Sequence, residues 1–363
     1  MLPVDVTYNR QVLLGIRSYC RAHRPWELRV IRDGAKLKQT LKREGSQSTG
    51  LIGVFGSEEM REIALKSALP AVNVSGQLPE YRLPTVMPDD RATAHLAVKH
   101  FMERGFRSFA FAGTYAYAYA CRRRDAFVDG VKAVGLPCKS CDADRGVSSW
   151  LGKLPRQTAV FASNDVVARK IVDACGRRGL QVPADIAVLG VDNDTIECEL
   201  SPVPLSSIDS DSQRVGWEAA RLLARLMRGR RTPKRPALIN PRNVVARDSS
   251  NVLAFEDPEV AYAVSYIEAH ACDPMNVSDI MNALTISRRT LEKRFRKLMG
   301  HSLHDEVRRV KFERAKALLI ESDLLVPGVA DRCGFSDPKR FTTLFREKFG
   351  IPPAAYRRKI RTA

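Results

Sequence analysis

No apolar run in this 363-residue chain approaches the roughly 20 residues that a membrane-spanning helix needs. The first residues contain no apolar signal-peptide core. An intracellular, cytoplasmic protein is therefore expected, with its eight cysteines mostly reduced. Catalytic signatures are missing as well: there is no Walker loop, no GxSxG elbow and no HExxH. Metal-ligating sets are thin, since Cys138 and Cys141 form one isolated CxxC and a zinc site needs more ligands. No catalytic residue, metal or cofactor is expected. Negative charge is also short. Against 59 Lys and Arg stand 41 Asp and Glu, a formal net charge of +18, which favours a polyanion, an acidic membrane surface or an acidic ligand as partner. With no spanning segment, a membrane is not expected among the partners. The excess is spread along the chain, net +13 over residues 1–254 and +5 over 255–363, so charge alone locates no site.

Up to about residue 248, short apolar runs alternate with amphipathic stretches. "GLIGVFG" (50–56), "PAVNVSG" (70–76), "SFAFAG" (108–113), "TAVFASND" (158–165) and "IAVLGVDND" (186–194) have the length and content of buried strands. Between them, "EEMREIALKSA", "ATAHLAVKHFMERG" and "VVARKIVDACGRRG" have helical spacing and end at small residues. Such alternation predicts a parallel sheet covered by helices on both faces. A Pro/Arg/Gly-rich piece (228–241) closes the last long helix, and residues 249–259 look like a linker. Beyond it every pattern is helical. The chain is expected to divide into an α/β part and an all-α part near residue 250.

The all-α part repeats itself. Shifted by 50 positions, "ALTISRRTLEKRFRKLMG" (283–300) falls on "CGFSDPKRFTTLFREKFG" (333–350). Leu291 meets Phe341, Phe295 meets Phe345, Met299 meets Phe349 and Gly300 meets Gly350. Ser287 and Asp337 both suit the N-cap, and Pro338 suits the first helical turn. A shorter helix precedes each, "VSDIMNAL" (277–284) and "GVADRCG" (328–334), giving two helix-turn-helix units. Between them Ser302 to Glu321 predicts a helix roughly 30 Å long, close to the roughly 34 Å between successive major grooves on one face of DNA. The apolar stripes belong to the core. The outward residues are then the candidates for DNA contact: Arg288, Arg289, Glu292 and Lys293 on the first helix, Lys339, Arg340 and Thr343 on the second. Arginine bonds guanine edges bidentately, while Lys, Ser and Thr serve phosphates or bases.

Strand ends in the α/β part carry polar groups, where open α/β sheets bind ligands. "AVFASND" ends on Asn164 and Asp165, and "AVLGVDND" reaches Asp192. After "SFAFAG" come Tyr115, Tyr117 and Tyr119, then Arg122–Arg124. Aromatic faces stack on sugar rings and charged side chains bond hydroxyl pairs, so a small polyhydroxylated ligand is expected. Asp165 is also placed to cap the helix that follows it.

Residues 260–361 resemble the DNA-binding domain of AraC/XylS-type transcription regulators, through "VADRCGFSDPKRFTTLFREKFGIPPAAYRR". Val326-Pro327-Gly328, in place of a polar helix start, and Thr343, where many members carry Arg, depart from that pattern. Residues 1–248 resemble LacI-type sensors with a periplasmic-binding-protein-like fold of two lobes. "RRDAF", "FASND", "VLGVDND" and "TYNRQVLLGI" carry that resemblance. It implies ligand contacts at Tyr8, Asn9, Tyr119, Arg123, Asp165 and Asp192. It further implies a first lobe of about 1–88 and 207–235, and a second of about 89–206 and 236–248. Only "MLPVDV" precedes "TYNRQVLLGI", so the first strand is expected to be truncated or to begin upstream. Added upstream sequence would then raise the melting temperature.

Together the resemblances imply a sugar-responsive transcription regulator, with a pentose such as xylose as effector and promoter DNA as the macromolecular partner. They also imply a homodimer, and contact with RNA polymerase if the protein activates. Two readings compete with this: an enzyme, and a DNA-binding regulator whose α/β part only dimerises.

Overall fold

The structure, a computed structural model, describes the chain apart from residues 1, 3–5, 24–25, 32–33, 45–49, 232–234, 256, 274, 276 and 362–363. The chain forms two compact units, the first covering residues 1–102 and 106–252, the second 253–363 together with Glu103–Gly105. The expectation of a shortened first strand falls on residues 1–6, most of which lie outside the described residues. Among those described, no helix is long and apolar enough to cross a membrane.

The first unit has two lobes. In the first lobe, Leu51–Gly53 pairs in parallel with Ala71–Asn73. A single parallel bridge, Asn73 to Thr85, leads to Val86–Pro88, which pairs with Ala237–Ile239. The last pairing differs from the sequence expectation. Residues 237–239, expected in the second lobe, lie in the first. The helices Thr7–Ala22 and Ser212–Leu226 cover this sheet and bury Val12, Ile16, Val215, Ala219 and Leu223 against Val72, Val74 and Val86. Likewise residues 249–250, expected as linker, are built into this unit. Ser249 and Ser250 are fully buried, with Ser250 Oγ 2.8 Å from the His100 ring and Ser249 Oγ donating to Val188 O.

These two helices touch backbone to backbone. A Cβ on Gly15 would lie 1.9 Å from the Gln213 carbonyl oxygen, and one on Gly216 would lie 1.9 Å from that of Val12. No side chain could yield there, because the obstacle is main chain. Gly15→Ala is therefore expected to destabilise the first unit by about 1–3 kcal/mol. Scanning calorimetry should show its transition lowered by roughly 2–12 °C, whereas an unchanged transition would mean that the helices separate at little cost.

In the second lobe, strands among the described residues follow the order 244–245, 206–208, 186–191, 158–162, 108–113, 138–142. All pair in parallel except Val244–Val245, which runs antiparallel to Ser206–Ile208. The central strands are buried along their whole length and lack alternation, as a sheet covered on both faces requires. Three segments pass between the lobes, at residues 88–90, 208–212 and 239–244. They are tied together by Asp89 N–H donating to Ile239 O at 2.7 Å, and by paired bonds between Asp209 and residues 242–243.

In the second unit all elements among the described residues are helices: Pro258–His270, Val277–Met281, Arg288–Met299, Leu303–Glu321, Val326–Arg332, Pro338–Phe349 and Pro353–Arg361. The repeat read from the sequence holds down to the caps. Ser287 accepts from Thr290 N–H and Asp337 from Lys339 N–H. Gly300 and Gly350 close the two long helices in the left-handed conformation, at φ +78° and +76°. Ser302 and Asp305 form a capping box at the start of the connecting helix. Val326, Pro327 and Gly328 belong to the helix proper, with Leu325 as a cap that makes no side-chain bond, so this helix starts two residues earlier than expected. Two clusters fill the unit. Leu291 and Phe295 anchor one, while Phe312, Phe341 and Phe345 anchor the other.

Candidate ligand cleft and nucleic-acid interface

A cavity of about 150 Å³ opens between the lobes of the first unit. That is well below the roughly 300–1,000 Å³ of sites that take drug-sized ligands, so a small molecule fits the scale. The first lobe contributes Tyr8, Asn9, Ser75, Gln77 and Met87, and the second contributes Asp90, Tyr119, Arg123, Asn164 and Asp192. Six of the seven residues expected at the ligand are thus brought together: Tyr8, Asn9, Tyr119, Arg123, Asn164 and Asp192.

Arg123 is the centre of the site and is 3% exposed. Its Nε donates to Asp90 Oδ1 at 2.9 Å and its Nη1 to the Ser163 carbonyl at 2.5 Å. The guanidinium lies 5.1 Å from the centroid of the Tyr119 ring. Two of its nitrogens are committed to protein, and the group is locked in one orientation before any ligand arrives. Asp90 also accepts from Arg122 Nε at 2.8 Å, and Arg122 Nη2 reaches the Gly76 carbonyl of the first lobe at 2.9 Å. Asp90 therefore joins both arginines and, through Arg122, the two lobes.

The aromatic residues divide by role. Tyr119 lines the cleft, its hydroxyl accepts from Asn164 Nδ2 at 3.2 Å, and Tyr117 stacks on it at 5.6 Å. Burial pushes the Tyr119 hydroxyl up to about 12, so it stays a neutral donor. Tyr115 instead packs under Arg124 at 4.7 Å, away from the cleft lining. Tyr8 donates to the Val74 carbonyl at 2.7 Å, which fixes its ring at the cleft wall.

Asp192 follows the strand Ile186–Val191 at φ +100°, and Asn193 at +48°, a conformation that non-glycine residues avoid. Such backbone strain persists where the surroundings over-determine it. Here Asp192 N–H is held by Ile208 O at 2.9 Å and its Oδ1 by the Ser210 hydroxyl at 3.1 Å. Burial raises its carboxyl from the usual range, while the Arg123 charge pulls it back down.

Asp165 corrects the sequence expectation. It is buried behind the lining rather than in it. Its Oδ1 accepts from the Ser207 hydroxyl at 2.6 Å and its Oδ2 from Asp194 N–H at 2.8 Å, so both oxygens are committed to protein. Burial first, and then the neighbouring Asp192 charge, raise its carboxyl well above the usual range. A Cβ on Gly190 would lie 2.0 Å from Asp165 Oδ1, which accounts for the glycine in "VLGVD". Nor is Asp165 the helix cap. Asn164 is, accepting from Val167 N–H at 2.9 Å. Asp165 holds the strained turn at 192–194 in place.

Asp90 was missed. Its signal was present in "TVMPDDRA", a strand that ends on carboxylates as the others do. Ser75 and Gln77, after "PAVNVSG", carried the same signal. Asn73 in that segment is structural: its side chain bonds Phe55 N–H, Ser75 N–H and Ser75 O, and so fixes the loops that bring Ser75 and Gln77 to the cleft.

In the second unit the expected reading edges are exposed. Arg288, Arg289, Glu292 and Lys293 stand on the outer face of one long helix, Lys339, Arg340 and Thr343 on the other. Arg288 Nε pairs with Glu292 Oε1 at 2.9 Å, leaving Arg289 and Lys293 as the cations outside that pair on the first edge. Thr343 bonds back to the Lys339 carbonyl at 3.2 Å. The 19-residue helix between the motifs is roughly 28 Å long. Lys348 packs over the rings of Phe312 and Phe349 at 5.0 and 5.8 Å, so it serves the core rather than the edge.

Two family models match the chain, a periplasmic binding protein-like domain over residues 98–250 and a helix-turn-helix domain over residues 280–359. The xylose operon regulatory protein of Escherichia coli strain K12 is 31% identical over 373 residues, covering 96% of this chain and 94% of its own. That of Haemophilus influenzae is 28% identical over 369 residues, with 96% and 95% covered. A solved structure of a xylose-binding transcription activator superposes with a TM-score of 0.62 at 27% identity, covering 98% of this chain and 96% of its own.

Proposed function

The chain belongs to the family of xylose operon regulatory proteins, sugar-responsive DNA-binding transcription regulators, and from that premise we propose that its effector is xylose or a closely related pentose, bound in the interlobe cleft. The observation that carries this reading is the buried Asp90–Arg123 pair, which presents a fixed guanidinium beside the Tyr119 ring and opposite the Asp192 carboxylate. In the proposed complex Arg123 donates to ring or hydroxyl oxygens. Asp192 and Asn164 take the adjoining hydroxyls, and Tyr119 covers the apolar face of the sugar. Asp165 acts indirectly, by holding the turn that carries Asp192.

The ligand contacts both lobes and so favours the closed cleft by its differential affinity for that state. Coupling to DNA is then reciprocal, each ligand raising affinity for the other by the same factor. Arg289, Lys293, Lys339, Arg340 and Thr343 are the proposed base- and phosphate-contacting residues, with Arg288 and Glu292 as a pair at the edge. The finer proposal, action as a homodimer that contacts RNA polymerase when it activates, rests on the family alone.

One experiment tests both halves. Full-length protein is titrated with xylose, arabinose and ribose while tryptophan fluorescence is recorded, then with a promoter fragment at several salt concentrations, with and without sugar. The expected result is saturable sugar binding, a DNA affinity that falls steeply with salt, and an affinity that differs with sugar present. If no pentose binds while DNA still does, the α/β unit serves dimerisation only.

A further inference from the structure

Two of the eight cysteines are neighbours in space though 61 positions apart in sequence. Cys272 follows the helix Pro258–His270 and is partly exposed; Cys333 caps the helix Val326–Arg332 and is fully buried. The main chain brings them together. Gly334 turns at φ +69°, and a Cβ there would lie 2.6 Å from the Cys272 carbonyl oxygen. Both side chains pack in the cluster around Phe312. The two thiols are close enough for each to shift the other's titration.

The charged surroundings favour a thiolate on the exposed member. Lys311, whose Nζ donates to the Gly334 carbonyl at 2.6 Å, and Arg314 stand on the positive side; Asp273 opposes them. The neighbouring Cys333 thiol, aided by these cations against burial, holds Cys272 down at about 7, while Cys333 is pushed up and keeps its proton. Two thiols elsewhere differ. Burial pushes both Cys138 and Cys175 up to about 12, so neither is a nucleophile at neutral pH.

We propose that Cys272 and Cys333 are a redox-active dithiol, a modification site at which a hydroperoxide closes a disulfide inside the DNA-binding unit. The Cys272 thiolate attacks the outer oxygen of the peroxide, breaking the O–O bond and forming a sulfenic acid with release of hydroxide or alkoxide. The Cys333 thiol then attacks the Cys272 sulfur. The S–S bond forms, the S–O bond breaks, and the sulfenic oxygen leaves as water with the Cys333 proton. Two thiols are oxidised by two electrons and one peroxide is reduced. Drawing the sulfurs to about 2.05 Å pulls on residues 333–334, the turn that leads into the second recognition helix. That regulatory consequence, weaker DNA binding in the oxidised form, rests on the function proposed above; the dithiol chemistry does not.

The test uses the full chain with hydrogen peroxide at near-stoichiometric amounts, then an alkylating agent and peptide mass spectrometry. The expected product is a cross-linked pair of peptides, two hydrogens lighter than the reduced pair, formed faster as pH rises through about 7 and reversed by dithiothreitol. Cys272→Ser, at a partly exposed position, should give no cross-link and leave Cys333 a thiol. Alkylated Cys272 beside oxidised Cys138, or Cys272 over-oxidised with Cys333 untouched, would overturn the proposal. Reduced and cross-linked protein are then compared on one promoter fragment, with at least a tenfold weaker affinity expected after cross-linking. Equal affinities overturn the regulatory consequence, and a reduced protein that fails to bind any fragment overturns the functional reading instead.

Discussion

Replacing Arg123 by methionine is expected to weaken pentose binding by about 10- to 150-fold. The arithmetic follows from losing a hydrogen bond between a charged group and the neutral sugar, worth about 1.5–3 kcal/mol, with each 1.4 kcal/mol worth tenfold. Methionine keeps most of the buried volume and removes the charge. Asp90 is not stranded, because Arg122 remains 2.8 Å away, so the first unit should still fold. Lysine is not expected to rescue. A single ammonium cannot serve Asp90, the Ser163 carbonyl and a sugar oxygen in the directions the guanidinium does. Calorimetric titration with xylose gives the affinity, and DNA binding without sugar provides the control. Retention of affinity within threefold, with the fold intact, would remove Arg123 from the site and leave Asp192 to carry it.

The second large effect lies in the other unit. Phe312, on the connecting helix, has four rings around it: Phe335 at 5.4 Å, Phe349 at 5.8 Å, Phe345 at 6.1 Å and Phe341 at 6.4 Å. Phe341, Phe345 and Phe349 belong to the helix Pro338–Phe349 of the second motif, so Phe312 is what that helix leans on. Phe312→Ala should cost about 3–5 kcal/mol through lost burial and the cavity left behind. This is a large share of the roughly 5–15 kcal/mol that holds an ordinary domain together. Urea denaturation should show an early transition for this unit. DNA affinity is lost with it, while the sugar titration keeps its midpoint. A variant that still binds DNA normally would mean that the second motif is not needed for binding.

Legibility in the sequence followed how local the signal was. The DNA-binding unit could be read almost residue by residue, because caps, stripes and closing glycines recur at one spacing and each is a short-range preference. The cleft lining was legible where a buried strand ended on a polar group, which pointed to Asn164 and Asp192, whereas Arg123, inside the helix Ala118–Ala133, was singled out from its neighbours only by the resemblance of "RRDAF". The same rule applied to "TVMPDDRA" would have found Asp90. Asp165 shows the limit of that rule. Two adjacent polar residues end one strand, and which of them faces the cleft depends on Ser207 and Asp194, which lie 42 and 29 positions away. Residues 237–239 show another limit. A three-residue strand with two exposed positions carries no periodicity, and only its pairing with Val86–Pro88 assigns it to a lobe.

The contact at Gly15 and Gly216 also bears on how the cleft can close. Packed helices that slide past one another do so on a layer of side chains, each hopping between rotamers. Thr7–Ala22 and Ser212–Leu226 have no such layer at their crossing, where main chain meets main chain. They are keyed together and translate or turn as one body. The first helix carries Tyr8 and Asn9 to the cleft wall, and the second begins at the crossing segment 208–212. In the proposed closure these two helices move together with the first lobe, and the φ/ψ change falls on the crossing segments 88–90, 208–212 and 239–244.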